Sequence, residues 1–149
     1  MDINKFKNEL RFDEGQVLHA YEDSRGFLTI GIGRMIDERE GGGISEEEAH
    51  FLFENDVKRV MEETFGDFPW LKDAPDDVQR AVCNMVFQMG IKRVRKFKKT
   101  LSFLQNKEYY AAADEALDSD WAKQTPNRAR RVTEQIRMGN HLYKNQIIH

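Results

Sequence analysis

The chain has 149 residues, a length that fits one domain able to bury a core of real size. Its single cysteine, Cys83, excludes an internal disulfide framework, and 40% hydrophobic with 11% aromatic residues excludes a disordered composition. The net charge of −3 hides a split: residues 1–78 carry 9 Lys+Arg against 20 Asp+Glu, a net of −11, and residues 79–149 carry 14 against 6, a net of +8.

The basic half suits an anionic partner, whether nucleic acid, a membrane surface or a polymer such as a cell-wall glycan. The opening Met1-Asp2-Ile3-Asn4-Lys5-Phe6 lacks the apolar run of roughly 7–15 residues that a signal peptide needs. No stretch approaches the roughly 20 apolar residues of a membrane span. A soluble cytoplasmic product without stable membrane insertion is therefore expected.

In chain order, Ile3, Phe6 and Leu10 follow helical spacing, and Gly15 supplies a stop, so a helix is predicted over 3–14. Asp23-Ser24-Arg25-Gly26 is a turn signal, and Phe27-Leu28-Thr29-Ile30-Gly31-Ile32-Gly33 reads as a strand. A hairpin across 17–34 is the simplest reading. Gly41-Gly42-Gly43 is a connector, and Ser45-Glu46-Glu47-Glu48 is a capping box that opens a helix running to about Thr64.

Asp67-Phe68-Pro69-Trp70 breaks the pattern, and a helix with a wide apolar face follows from about Asp77 to Met89, with Cys83 read as a small buried residue within it. Further helices are predicted near 93–105, 108–118 and 126–138. Thr125 stands at the cap of the last one, Pro126 at its first position and Gly139 at its end. The fold class expected is α+β and mostly helical.

Phosphate loops of the Walker type are absent, and Gly31-Ile32-Gly33 lacks the third glycine of a dinucleotide site. His19, His50, His141 and His149 are scattered without metal-ligand spacing, so no metal and no cofactor are expected. Two carboxylates stand out. Glu14 ends the first helix and Asp23 sits at the hairpin turn. A helix end and a hairpin tip can face each other, and two carboxylates in unlike environments can divide acid and base roles. The alternative is two ordinary surface acids.

Longer motifs settle on a family. Glu14-Gly15, Tyr21-x-Asp23, Gly26 and Thr29-Ile30-Gly31-Ile32-Gly33 resemble the start of bacteriophage-type lysozymes, the muramidases of glycoside hydrolase family 24. Asn84-Met85-Val86-Phe87-Gln88-Met89-Gly90 and Trp121-x-x-Gln124-Thr125-Pro126-Asn127-Arg128-Ala129-x-Arg131-Val132 are similar to that family's second lobe. The matches occur in order along nearly the whole chain.

The resemblance implies one lysozyme domain over 1–149, with a small β-sheet lobe at about 15–45, a linking helix at about 45–64, and a helical lobe over 65–149 joined by helix 3–14. It implies hydrolysis, with inversion, of the β-1,4 bond between N-acetylmuramic acid and N-acetylglucosamine in peptidoglycan, and so cell lysis. Glu14 is then the general acid, Asp23 the carboxylate that handles the attacking water, and Thr29 the hydroxyl that holds that water. Met35, Phe87, Thr100 and Glu115 fall at sugar-contacting positions.

Some of these positions depart from the family pattern. Met35 stands where leucine is common, Thr100 where serine is, and Glu115 where asparagine is. Phe87 and Met35 also suit plain core packing. Arg128 matches an arginine near the catalytic glutamate, with a purely structural ion pair as the alternative. Arg34 replaces a histidine that pairs with an acid at the position of Asp56, which predicts an Arg34–Asp56 ion pair. The connector from Met35 to Ile44 is shorter than in the best-known relatives.

The expected partner is the peptidoglycan glycan strand, met by a monomer held in the host cytoplasm until release and acting in the periplasm. The run Lys92-Arg93-x-Arg95-Lys96-x-Lys98-Lys99 places six cations in eight residues. It reads as wall attraction, as a solvated helix face, or as phosphate contacts in a nucleic-acid-binding protein. Phe97 and Phe103 nearby have core spacing and do not suggest a base-stacking platform. An inactive wall-binding module of the same fold is the remaining alternative.

Overall fold

Backbone is described for residues 1–15, 17–22, 28–31 and 44–148 of this computed structural model, and side chains for 1–15 and 44–139. Contact density divides the chain into two units, residues 3–59 and residues 1–2 with 60–149.

In the first unit, α1 (Ile3–Glu14) buries Phe6 and Leu10. Gly15 ends it in the left-handed region, at φ 69°, and its amide donates to the Arg11 carbonyl at 2.9 Å. That is the single-bond glycine stop, at a conformation that only glycine adopts freely. Strands β1 (Val17–Glu22) and β2 (Leu28–Gly31) pair antiparallel, with Tyr21 opposite Thr29 and a register irregularity between Val17 and Tyr21.

The expected β-sheet lobe is corrected here. Regular structure among the described residues is overwhelmingly helical, and two strands of six and four residues do not make a lobe. A two-stranded ribbon of this length cannot bury a core by itself. The fold is a helical one.

Helix α2 (Glu46–Asp67) starts on the capping box. The Glu48 amide donates to Ser45 Oγ at 3.1 Å, and the Ser45 amide donates to Glu48 Oε1 at 3.2 Å. Within residues 3–59, Lys7 Nζ pairs with Glu54 at 2.6 Å, and the Arg11 guanidinium lies over the Phe53 ring at 5.0 Å. These contacts tie α1 to the start of α2. The helix runs past Thr64 to Asp67, and the Thr64 hydroxyl, buried within it, donates back to the Val60 carbonyl at 2.6 Å.

In the second unit a short 3-10 turn (Pro69–Asp73) leads into α3 (Asp76–Met89), whose residues 78–86 are all buried. A helix buried on every side is the centre of a core. It packs on α4 (Ile91–Val94) and on α8 (Pro126–Ile148), while α6 (Tyr109–Leu117) packs on α5 (Lys98–Gln105), α8 and α7 (Asp120–Gln124).

Two boundaries differ from the sequence reading. The single helix expected over 93–105 is broken into α4 and α5. Phe97 leaves helical geometry, with ψ at 56°, and its ring meets Trp121 edge-on at 6.2 Å. Gly139 does not end α8, which continues to Ile148. A Cβ on Gly139 would lie 2.4 Å from Val78 Cγ2, so the glycine serves close approach of α8 to α3.

Candidate active site

Glu14 is the last residue of α1 and is half-buried. Its place follows from the stop at Gly15: the glycine ends the helix one residue later and fixes where this carboxylate leaves the backbone. Thr29 lies in β2, paired in register with Tyr21 of β1. Asp23 follows Tyr21 by two positions, in the connection between the strands, and lies outside the described residues. Met35 and Arg34 also lie outside them. Asp56, the expected partner of Arg34, is buried, with Arg59 Nη2 at 3.6 Å from its carboxylate.

The second unit contains a cleft of about 490 Å³. Thr100, at the start of α5, and Glu115, on α6, line it together. Thr100 is buried and Glu115 half-buried. Phe87 is half-buried on α3 and is not part of that lining. One pair of expected sugar contacts is thus brought together, and the third is placed elsewhere on the same unit.

The cleft also holds residues that sequence reasoning left without a role. Trp121 forms part of its wall, almost fully buried, and its Nε1 donates to Gln88 Oε1 at 2.8 Å. Gln88 Nε2 in turn donates to Thr125 Oγ1 at 3.2 Å, and the Thr125 hydroxyl donates to the Trp121 carbonyl at 3.1 Å. Thr125 stands just before α8 as expected, but its hydroxyl joins α3 to α7 and is spent there. The closed ring of three bonds fixes the orientation of the indole in the cleft wall. Its members are already present in the Gln88 and Trp121–Thr125 motifs; their mutual contact is what the linear spacing hides.

Arg128 is buried on α8 and donates from Nε and Nη2 to Asn84 Oδ1, at 3.0 and 2.9 Å. The charge is met here by an amide oxygen, a neutral acceptor that leaves the guanidinium positive. Cys83, one residue earlier on α3, is fully buried beside Thr64, and burial pushes its thiol up to about 12. Such a thiol is inert at neutral pH and carries no chemistry.

The charge division noted in the sequence has a local expression in this unit. Arg93, Lys96, Lys98 and Lys99, from α4, α5 and the turn between them, line the cleft together with Glu115, Asp118 and Asp120, from α6, α7 and the turn between those. Among the described residues, no group of three or more His, Cys, Asp or Glu is placed to hold a metal ion. Among them, too, no helix is long and apolar enough to cross a membrane.

Comparison with known proteins gives one consistent result. The phage lysozyme family model matches residues 11–136. A "Probable T4-type lysozyme 1" of Dictyostelium discoideum is 32% identical over 164 residues, covering 92% of this chain and 96% of that protein. The "Pre-baseplate central spike protein Gp5" of Enterobacteria phage T4 is 33% identical over 156 residues, which are 88% of this chain and 27% of that protein. The "Endolysin" of Salmonella phage P22 is 31% identical over 119 residues, 70% of this chain and 73% of that protein.

Proposed function

Because the chain belongs to the phage lysozyme family, we propose that it cleaves the β-1,4 bond between N-acetylmuramic acid and N-acetylglucosamine with inversion, using Glu14, Asp23 and Thr29. At the coarser level it is a glycoside hydrolase, a muramidase that hydrolyses peptidoglycan. The observation that carries the finer reading is the family match over 11–136, which contains all three residues.

Glu14 gives its proton to the leaving glycosidic oxygen. A carboxyl group at a helix end, half-buried, is held in one direction and can stay close to the bond it protonates. Asp23, ionised, takes a proton from the attacking water on the opposite face of the sugar. The Thr29 hydroxyl orients that water, since it both donates and accepts. Inversion needs space for the water, which puts the two carboxyl groups roughly 6.5–9.5 Å apart. The cleft of Thr100 and Glu115 supports a sugar-binding role for both, with Met35 and Phe87 as further contacts.

The enzyme works as a monomer on glycan strands of the wall in the periplasm, after release from the host cytoplasm. No cofactor takes part. Glu14→Gln keeps the shape of the side chain and removes the proton. It should abolish clearing of permeabilised Gram-negative cells while the circular dichroism spectrum stays that of the parent. A lytically competent Glu14→Gln variant overturns the assignment.

A further inference from the structure

Trp121 lines the cleft beside Thr100 and Glu115, yet only 2% of it is exposed. What the cleft meets of the indole is therefore set by how the indole is held. Its own helix is too short to hold it: α7 has five residues, far below the roughly 12–15 that an isolated helix needs to be stable. The hold comes from other elements. The Phe97 ring, in the turn between α4 and α5, meets the indole edge-on at 6.2 Å, and Arg93 of α4 donates to Gln124 at the end of α7 at 3.2 Å.

Gln88, in the last turn of α3, completes it. Its Oε1 accepts from the indole Nε1 at 2.8 Å, and its Nε2 donates to Thr125 Oγ1 at 3.2 Å. Apolar packing is non-directional. A hydrogen bond is directional, and a satisfied polar network fixes one arrangement of the side chains in it. The polar groups around the cleft thus divide in two. Those of Gln88, Trp121 and Thr125 are engaged with one another. Thr100, buried in the cleft lining, has a hydroxyl with no hydrogen-bond partner among the described residues. One set holds the wall, and the other is open to a ligand.

We propose that Gln88 is a positioning residue for substrate binding. Through the Trp121 indole it fixes the wall beside which a glycan engages Thr100 and Glu115, and it acts on affinity, not on the chemical step. The identity of the ligand as a glycan rests on the muramidase reading.

The test uses the full chain and a soluble tetramer of alternating N-acetylglucosamine and N-acetylmuramic acid. kcat and KM are measured for the parent, Gln88→Glu, Gln88→Met, Thr125→Ser and Thr125→Val. Glutamate keeps the acceptor for the indole, and methionine removes it. Serine keeps the hydroxyl that holds Gln88, and valine removes it. Dissociation constants come from titrating the tetramer into each variant carrying Glu14→Gln and Trp70→Phe in addition. Trp121 is then the sole tryptophan, and its fluorescence anisotropy reports its own mobility.

Gln88→Met should raise KM and the dissociation constant about 10-fold, the scale of one lost hydrogen bond. kcat should stay within about 2-fold, the mark of binding lost equally from ground and transition states. Indole mobility should rise in step. Gln88→Glu and Thr125→Ser should stay near the parent, with Thr125→Val between them and Gln88→Met. A lower melting temperature with KM, dissociation constant and anisotropy unchanged makes the ring purely structural and overturns the proposal. So does a loss confined to kcat, or a loss as large in Gln88→Glu as in Gln88→Met. If Gln88→Met does not fold, Thr125→Val against Thr125→Ser decides by the same measures. A parent that binds the tetramer with this dependence on Gln88 but hydrolyses nothing overturns the muramidase reading and leaves Gln88 in its role. Hydrolysis with a KM indifferent to Gln88 does the reverse, and a parent that neither binds nor hydrolyses overturns both.

Discussion

Arg128 gives two hydrogen bonds to one oxygen of Asn84, at 3.0 and 2.9 Å, in the buried contact between α8 and α3. One acceptor holding two arms of a guanidinium fixes its plane. The pair is charge-assisted, and such bonds contribute about 1.5–3 kcal/mol each when measured by deletion. Asn84→Ala should therefore cost about 2–3 kcal/mol in urea unfolding, because two bonds from the buried guanidinium are lost. Asn84→Asp should recover much of that loss, since a carboxylate accepts in the same place. If Asn84→Ala unfolds at the parental midpoint, the bonds carry no weight.

The same pair shows what was legible in the sequence. Asn84 and Arg128 both fall in motifs that stand out in the linear chain, and the helices that carry them follow from periodicity. The meeting of the two side chains is a property of packing between α3 and α8, which no local pattern encodes. Phe97 teaches the same lesson: its spacing suits a continuous helix, and its contact with Trp121 overrides that preference. Gly139 looks like a helix end in the linear chain because glycine commonly is one; Val78, facing it from another helix, discloses the packing role. The capping box at Ser45 was legible because both of its partners lie within one turn. Thr100 and Glu115 reached a shared cleft through a motif-level resemblance, since neither residue type signals sugar binding by itself.

Gly139→Ala tests the close approach of α8 and α3. In an open helix this change gains roughly 1 kcal/mol. Here the new Cβ would sit 2.4 Å from Val78 Cγ2 and 3.5 Å from Tyr109 Cδ2. Overpacking of this kind costs about 1–3 kcal/mol, so the net effect should be destabilising. Val78→Ala in the same chain removes the colliding methyl. The double variant should be less destabilised than the sum of the two single changes, read from thermal melts. Simple additivity would place the steric conflict elsewhere.

Acid stability should depend on Asp76. Partial burial by itself would raise its pKa. The Arg80 guanidinium at 2.8 Å, together with the Asp2 amide at 2.7 Å, outweighs that and holds the carboxyl below its ordinary value of 3.8. A folded-state pKa below the unfolded one means stability that is present above the unfolded value and disappears as pH falls through the folded value. Asp76→Asn should thus be less stable than the parent at pH 7, with the gap closing below about pH 4. Urea midpoints measured from pH 7 down to pH 2 check this. A gap that stays constant across the range would show that packing, and not charge, is lost.

Cys83 offers a probe of opening in the core. Its thiol is fully buried between α3 and Thr64, and burial raises its pKa to about 12. The thiolate is the reacting species, so both access and ionisation block modification in the folded state. A thiol reagent at neutral pH should leave the native protein unmodified and react stoichiometrically in denaturant. Any slow native reaction should follow the opening of the core and accelerate in Asn84→Ala, where the unit around α3 is weakened. Rapid labelling of the native parent would mean that Cys83 is reached without unfolding, and that α3 is less enclosed than its burial indicates.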